Sequence, residues 1–264
     1  MRNYEKSNLE KPIAELKPQK TDVSNVASVV SIKDAGQNYR KEEGVRTPFT
    51  FLVIVSGGEV RERNYFKKIS DQSRFKQIKI EFISDPKIDK GKGNPDRLLA
   101  VAKYKKEHYE TSQEDKPDNI FIVSDVDDFV DAVLRIKPEC EKLKINLIIS
   151  NSCFEVWLYY GRFDSNPTDF SIPAYISKIS QSFKTYLGNK AKGGINPQKA
   201  IFDISENIKN AKANYREDSN GIPELFSTNM FLLAEALLPF IKDELDRLKY
   251  ETVCKSKECK EKLT

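Results

Sequence analysis

Residues Phe49-Thr-Phe-Leu-Val-Ile-Val55 form a continuous run of apolar and β-branched side chains. A strand with one face in water alternates in polarity. A strand with no alternation is buried on both faces, and such strands belong to parallel sheets covered by helices. The run ends in Ser56-Gly-Gly-Glu59, a sharp turn. That feature restricts the chain to an α/β fold if further strands alternate with helices, and the sequence supplies them. A helix is predicted over Arg61–Ser73, with Tyr65, Phe66 and Ile69 on one side. A second strand is predicted at Ile78–Ile83, followed by a polar loop from Asp85 to Asn94. Asn94-Pro95-Asp96 then reads as a helix start, with Asn as N-cap and Pro at the first helical position. Strands at Asn119–Val123 and Ile145–Ile149, separated by a helix over Asp131–Leu143, complete a β-α-β-α-β-α-β series.

Outside this series the pattern changes. Residues 1–46 are highly charged with one short apolar patch, and read as a flexible N-terminal arm. Residues 47–150 hold the sheet domain. Residues 151–250 read as a helical region packed on it, with helices over Cys153–Phe163, Pro173–Tyr186, Pro197–Tyr215 and Thr228–Tyr250, the last kinked at Pro239. Residues 251–264 form a charged tail. No apolar run reaches the roughly 18 residues of a membrane span, and the N-terminus has no apolar signal segment. The four cysteines form no CxxC pair, so a reduced, cytoplasmic protein is expected. A net charge of +4 on 264 residues is too mild to indicate nucleic-acid binding by itself. The single histidine, His108, excludes His-rich metal sites and mechanisms needing two histidines.

In open parallel sheets, ligands bind beyond the carboxyl ends of the strands. Two strands here end in acidic turns. The first presents Glu59, with Glu62 one helical turn on. The second presents Asp125, Asp127 and Asp128. The Asp-x-Asp spacing directs two carboxylates toward one crevice. Closely spaced carboxylates repel unless a cation neutralises them, and their hard oxygens suit Mg2+ or Mn2+. The alternative is that these turns are merely acidic surface loops. Lys92, between two glycines, is a candidate phosphate contact, although no Walker loop is present. Lys190 and Lys192 beside Gly193-Gly194 form a second basic loop that could touch a nucleic-acid backbone.

Val53-Ile-Val-Ser-Gly-Gly-Glu-Val-Arg-Glu-Arg-Asn-Tyr-Phe66 resembles the first motif of RloB-like proteins, a branch of the Toprim superfamily. There an apolar strand leads to Cys-Glu-Gly-Glu-Lys-Thr-Glu-Pro-x-Tyr-Phe. Gly91-Lys-Gly-Asn-Pro-Asp-Arg-Leu98 is similar to the family's glycine-containing loop and helix start, and Val123-Ser-Asp-Val-Asp-Asp128 to its Phe-Asp-Arg-Asp-Asp motif. Ser150-Asn-Ser-Cys-Phe-Glu-Val-Trp-Leu158 is similar to Ser-Asn-Pro-Cys-Phe-Glu-Leu-Trp-Leu, the most specific of the matches. Ser227-Thr-Asn-Met-Phe-Leu-Leu233 fits the C-terminal helix more loosely. The resemblance spans about residues 49 to 245.

The resemblance implies a Toprim-like (Rossmann-like) parallel sheet flanked by helices and followed by a helical C-terminal region. It implies a Mg2+- or Mn2+-dependent nuclease acting on DNA or RNA, transfer RNA included. Such proteins serve as effectors of prokaryotic anti-phage defence beside an ABC/AAA-type ATPase partner. Asp125, Asp127 and Asp128 would hold the metal, and Glu59 would be a further ligand or the acid/base. Glu62, Lys92, Asn151 and Glu155 would contact substrate or support the site. One departure matters: Gly57 stands where the family carries the glutamate assigned to proton transfer, so Glu59 would have to take over that role. Two classes of function follow. One is a metal-dependent nuclease. The other is a catalytically degenerate module that binds the ATPase or nucleic acid without cleaving, either class being open to self-association. A nucleotide-binding sheet protein is a weaker third.

Overall fold

The computed structural model describes residues 49–58, 60–70, 74–84, 94–112, 115–126 and 129–261. The expected N-terminal arm, the Glu59 turn, Lys92, and Asp127 and Asp128 lie outside these residues. Four strands form one parallel sheet: β1 (Thr50–Ser56), β2 (Ile78–Ser84), β3 (Asn119–Asp125) and β4 (Asn146–Ser150), in the order β2-β1-β3-β4. The unalternating run read from the sequence is the central strand β1, buried at every position. Its two faces feed two cores. Leu52 and Ile54 point to one, with Tyr65, Phe66 and Ile69 of α1 (Arg61–Ser70). Phe51, Val53 and Val55 point to the other, with Leu98, Leu99 and Ala102 of α2 (Pro95–Thr111) and Ile136 and Cys140 of α3 (Val130–Leu143). The α2 start is as expected: Asn94 Oδ1 accepts a bond from the Asp96 amide at 2.9 Å, and Pro95 follows.

The chain after β4 closes over the α1 face. Its helices are α4 (Glu155–Tyr160), α5 (Ile179–Lys190), α6 (Pro197–Ala200), α7 (Ile204–Ala213) and α8 (Met230–Glu261). Three expected helices are shorter, shifted or broken: the Pro173–Tyr186 segment opens in a 3-10 turn at Ile176–Lys178 and is helical only from Ile179, running on to Lys190. The Cys153–Phe163 segment forms a regular helix only over Glu155–Tyr160. The Pro197–Tyr215 segment is interrupted by a 3-10 turn at Ile201–Asp203. The last helix runs beyond Tyr250 to Glu261, so part of the expected tail is helical. Trp157 and Phe154 are core residues, with ring centroids 6.4 and 5.8 Å from Tyr65. No helix among the described residues is long and apolar enough to cross a membrane.

The open edge of β4 is covered by residues 227–229, through an antiparallel bridge of Ser150 to Thr228, the Asn229 amide donating to the Ile149 carbonyl at 3.2 Å, and the Asn229 side chain. Asn229 Oδ1 accepts from the Ile149 amide at 2.6 Å, and its Nδ2 donates to the Leu147 carbonyl at 3.2 Å. The primary amide of Asn229 thus extends the backbone pairing along β4, which covers part of the edge. Asn229→Ala is expected to lower stability by about 2 kcal/mol, because two backbone groups lose their partners. Urea unfolding of the purified variant would measure this, and an unchanged midpoint would contradict it.

Candidate active site

At the carboxyl ends of the strands the register pairs Ser56 with Ser84 and with Val123, and Asp125 with Ser150, so β3 and β4 run on past the end of β1. The turn after β1 stays tied down. The Gly57 amide donates to the Val123 carbonyl at 3.4 Å, and the Gly58 amide to Ser56 Oγ at 3.1 Å. Gly58 has no left-handed backbone to explain it. Its role is steric: a Cβ there would stand 1.8 Å from Glu62 Oε2 and 1.9 Å from Glu62 Cδ. The Glu62 carboxylate lies directly on the glycine, having reached back from the first turn of α1.

Glu62 is buried, and burial pushes its carboxyl up to about 7. Desolvation is the main cause, and the Glu155 carboxylate adds to it. The helix backbone, Lys184 and Arg61 oppose the shift and lose. The magnitudes explain the outcome. An anion in the first turn of a helix gains about 0.3–1 kcal/mol, whereas a rise of this size corresponds to roughly 3 kcal/mol. Glu62 therefore carries a proton for much of the time near neutrality.

Glu155 opens α4 and is 3 % exposed. A carboxylate this deep needs compensation, which arrives from two other elements. Arg61 Nε of α1 lies 3.6 Å from its Oε1, and Lys184 Nζ of α5 lies 3.8 Å from its Oε2. Cys153 sits in the same electrostatic field. Burial, Glu155 and Asp125 raise its thiol well above the ordinary value, so it stays protonated.

The structure thus sets Glu62 and Glu155 in one electrostatic neighbourhood with Arg61 and Lys184, and Asp125 within range of Cys153. Asn151 has a structural bond instead. Its Nδ2 donates to the Pro223 carbonyl at 2.8 Å, and its backbone bonds to Phe226 and Ser227, which pins the 223–227 loop to the end of β4. Lys190 is held by Asp169 at 2.7 Å and the Tyr186 hydroxyl at 2.6 Å, away from the role considered for its loop. His108 is exposed on α2, stacked near Tyr104. The side chains of Cys254 and Cys259 lie outside the description. Arg61 and Lys184 were missed by the sequence reading. Arg61 adjoins Glu62 and was visible. Lys184 carried no signal, because only the folding of α5 over α4 brings it to Glu155.

The donor chemistry of the crevice suits a hard cation. The neighbouring acidic donors, Glu62 and Glu155, are hard oxygens, and the soft donor Cys153 is protonated. Among the described residues, no three acidic, histidine or cysteine side chains already form a metal cage.

A four-stranded parallel sheet covered by helices, with the buried carboxyls of Glu62 and Glu155 just past the ends of two strands, defines the class of this protein. The sequence model of the RloB-like protein family matches residues 52–237, well over half of the chain, and the protein belongs to that family. No curated protein and no solved structure matches the chain at a significant level.

Proposed function

We propose that the protein is a metal-dependent, Toprim-type nuclease in which Glu62 transfers the proton. The observation that carries this reading is the buried Glu62 carboxyl, lying on Gly58 at the end of the central strand and poised near neutral pH. A general acid/base works best when its pKa lies near the operating pH. In this assignment Glu62, rather than Glu59, replaces the glutamate absent at Gly57. Glu62 in its ionised form takes a proton from the attacking hydroxyl or water, and in its protonated form gives one to the leaving oxygen. Arg61 and Lys184 place positive charge at the crevice, where phosphate oxygens would approach. Asp125 would hold Mg2+ or Mn2+ together with Asp127, Asp128 and Glu59. A bound metal would polarise the scissile phosphate and neutralise its charge. Family membership supports a role as effector in prokaryotic anti-phage defence with an ATPase partner, and DNA or RNA as the substrate class.

The second reading, a degenerate module that docks on the ATPase or nucleic acid, draws support from Gly57 and from the neutralisation of Glu155 by two cations. The two are separable. Calorimetric titration of the full chain with Mn2+ is expected to show binding that Asp125→Ala abolishes. Incubation with labelled single- and double-stranded DNA and RNA plus Mn2+ is expected to show cleavage by the wild type only. Cleavage that survives Asp125→Ala would remove the metal-dependent reading. Metal binding without cleavage of any of these nucleic acids would favour the docking module.

A further inference from the structure

We propose that the surface made by α1 and residues 191–202 is a track for the phosphate backbone of a nucleic acid, with Lys68, Lys192 and Lys199 as its contacts. The inference rests on the reading that the carboxyl edge of the sheet handles phosphodiesters, and it names the surface along which the chain would lie.

The two segments lie side by side and run in the same direction. Arg61 Nη1 donates to the Ile195 carbonyl at 3.2 Å, and Gln198 Nε2 donates to Asn64 Oδ1 at 3.3 Å. Lys68 Nζ stands 4.7 Å from the centroid of the Phe202 ring. Residues 61, 64 and 68 share one face of a helix, so the later segment lines that face over about 10 Å. One end of this ribbon lies at the carboxyl edge of the sheet, because Arg61 opens α1 there and also pairs with the buried Glu155.

The charge on the ribbon is of one sign. The chain has 44 basic and 40 acidic residues, so an evenly mixed surface would place acids among these lysines. Here none does. The one acid of α1 is Glu62, and it is buried. Residues 191–202 hold no acid. The next two along the chain are engaged, Asp203 with Arg162 at 3.3 Å and Glu206 with Lys209 at 3.9 Å. Lys68, Lys192 and Lys199 make no ion pair among the described residues. The three lysines of α2 behave otherwise, each meeting a carboxylate: Lys103 that of Glu139, Lys105 that of Glu81 and Lys106 that of Glu110. Lys192 is also presented to an approaching chain. It begins three successive residues of left-handed backbone, with φ of 43°, 105° and 87° at Lys192, Gly193 and Gly194. A Cβ at Gly193 would meet nothing within 4 Å, so a phosphate could come close to the backbone there. The other lysine of this loop, Lys190, is taken by Asp169. Among the described residues the ribbon carries no exposed ring: Tyr65 and Phe66 are buried, and Phe202 is partly buried beneath Lys68. With charge but no stacking platform, the surface suits backbone contacts that are independent of sequence.

The test uses the full chain with fluorescein-labelled single strands of about 15 nucleotides, one DNA and one RNA. Binding is followed by anisotropy over a range of NaCl concentrations, in chelator to prevent cleavage. Each phosphate contact contributes about 0.7 to the slope of log K against log salt for a single strand. The triple variant Lys68→Met, Lys192→Met, Lys199→Met is expected to lower the slope by about 2. Binding at 0.1 M salt should weaken about 100-fold, the same slope taken over the decade from 1 M. Replacing the three lysines by arginine keeps the charge and is expected to keep the slope. A second triple, Lys116→Met, Lys142→Met, Lys144→Met, is the discriminating control. It lowers the net charge of +4 by the same three units, at exposed positions near the amino ends of β3 and β4. It is expected to keep the wild-type slope. Should the first triple fail to fold by circular dichroism, Lys192→Met with Lys199→Met alters only exposed residues and is expected to lower the slope by about 1.4.

A wild-type slope in the first triple, an equal fall in the control triple, or no binding by the wild type would each overturn the track. Cleavage of the same strands with Mn2+ in place of chelator reads the underlying function separately. If the slopes differ as expected and the wild type cuts nothing, the nuclease reading is removed and the track stands. If the wild type cuts and the first triple keeps the wild-type slope, the track is removed and the nuclease reading stands.

Discussion

Glu62→Gln is expected to lower nucleic-acid cleavage by about 100-fold or more and, in the same molecule, to make the fold more stable above pH 7. Both effects follow from the buried carboxyl whose pKa is raised to about 7. Glutamine cannot transfer the proton, so the rate falls. The stability effect has a definite direction. In the unfolded chain the carboxyl ionises near 4.5, but the fold resists ionisation until about pH 7. The wild type therefore carries no penalty from this group below pH 4.5. It loses stability progressively as pH rises through the window from 4.5 to 7, and the full loss, roughly 3 kcal/mol, is present above that window. Glutamine is neutral throughout and is expected to escape the loss. Thermal melts of both proteins at pH 4.5 and pH 8 test this: their difference should be small at the lower pH and large at the higher. The wild-type cleavage rate should also show a limb near pH 7. An equal difference at both pH values would mean that Glu62 titrates normally and is not the proton-transfer group.

The second large effect is expected from a single methyl group. Gly58→Ala places a Cβ 1.8 Å from where Glu62 Oε2 now lies. The alanine backbone is accommodated, because Gly58 has no left-handed conformation. The carboxylate is what must move. Displaced toward solvent, it would regain hydration and titrate closer to 4.5. Cleavage is then expected to fall by about the same factor as in Glu62→Gln, with the limb near pH 7 gone and the folded core retained. Carbon-13 NMR of labelled glutamate would follow the titration directly. A Gly58→Ala protein with full activity and an unchanged limb would show that the carboxylate does not rest on this glycine.

The two predictions show how differently parts of the molecule were legible. The unalternating run that became β1 was legible because it is short, rich in β-branched and aromatic residues, and bounded by Pro48 and a Gly-Gly turn. The α2 start was legible because Asn, Pro and Asp act locally, within a few residues. The α4 and α6–α7 segments were read as longer helices than they are. Their apolar residues serve packing around Trp157 and Ile201, and burial gives the same composition to a helix and to a 3-10 turn beside it.

The sequence by itself determined the α/β class, the order of the elements, the family, and the strand ends at which acidic residues gather. These depend on local polarity and on short strings of residues. The tertiary structure alone decided which acid is unusual. Glu62 and Glu155 were visible in the sequence as candidate site residues, but their burial follows only from the way α1, α4 and α5 close over them. Desolvation depends on every neighbour that excludes water, and the partners Arg61 and Lys184 are separated by more than a hundred residues of chain. No local pattern encodes that meeting, so the buried carboxyls and their cations come together only when the helical region folds onto the sheet.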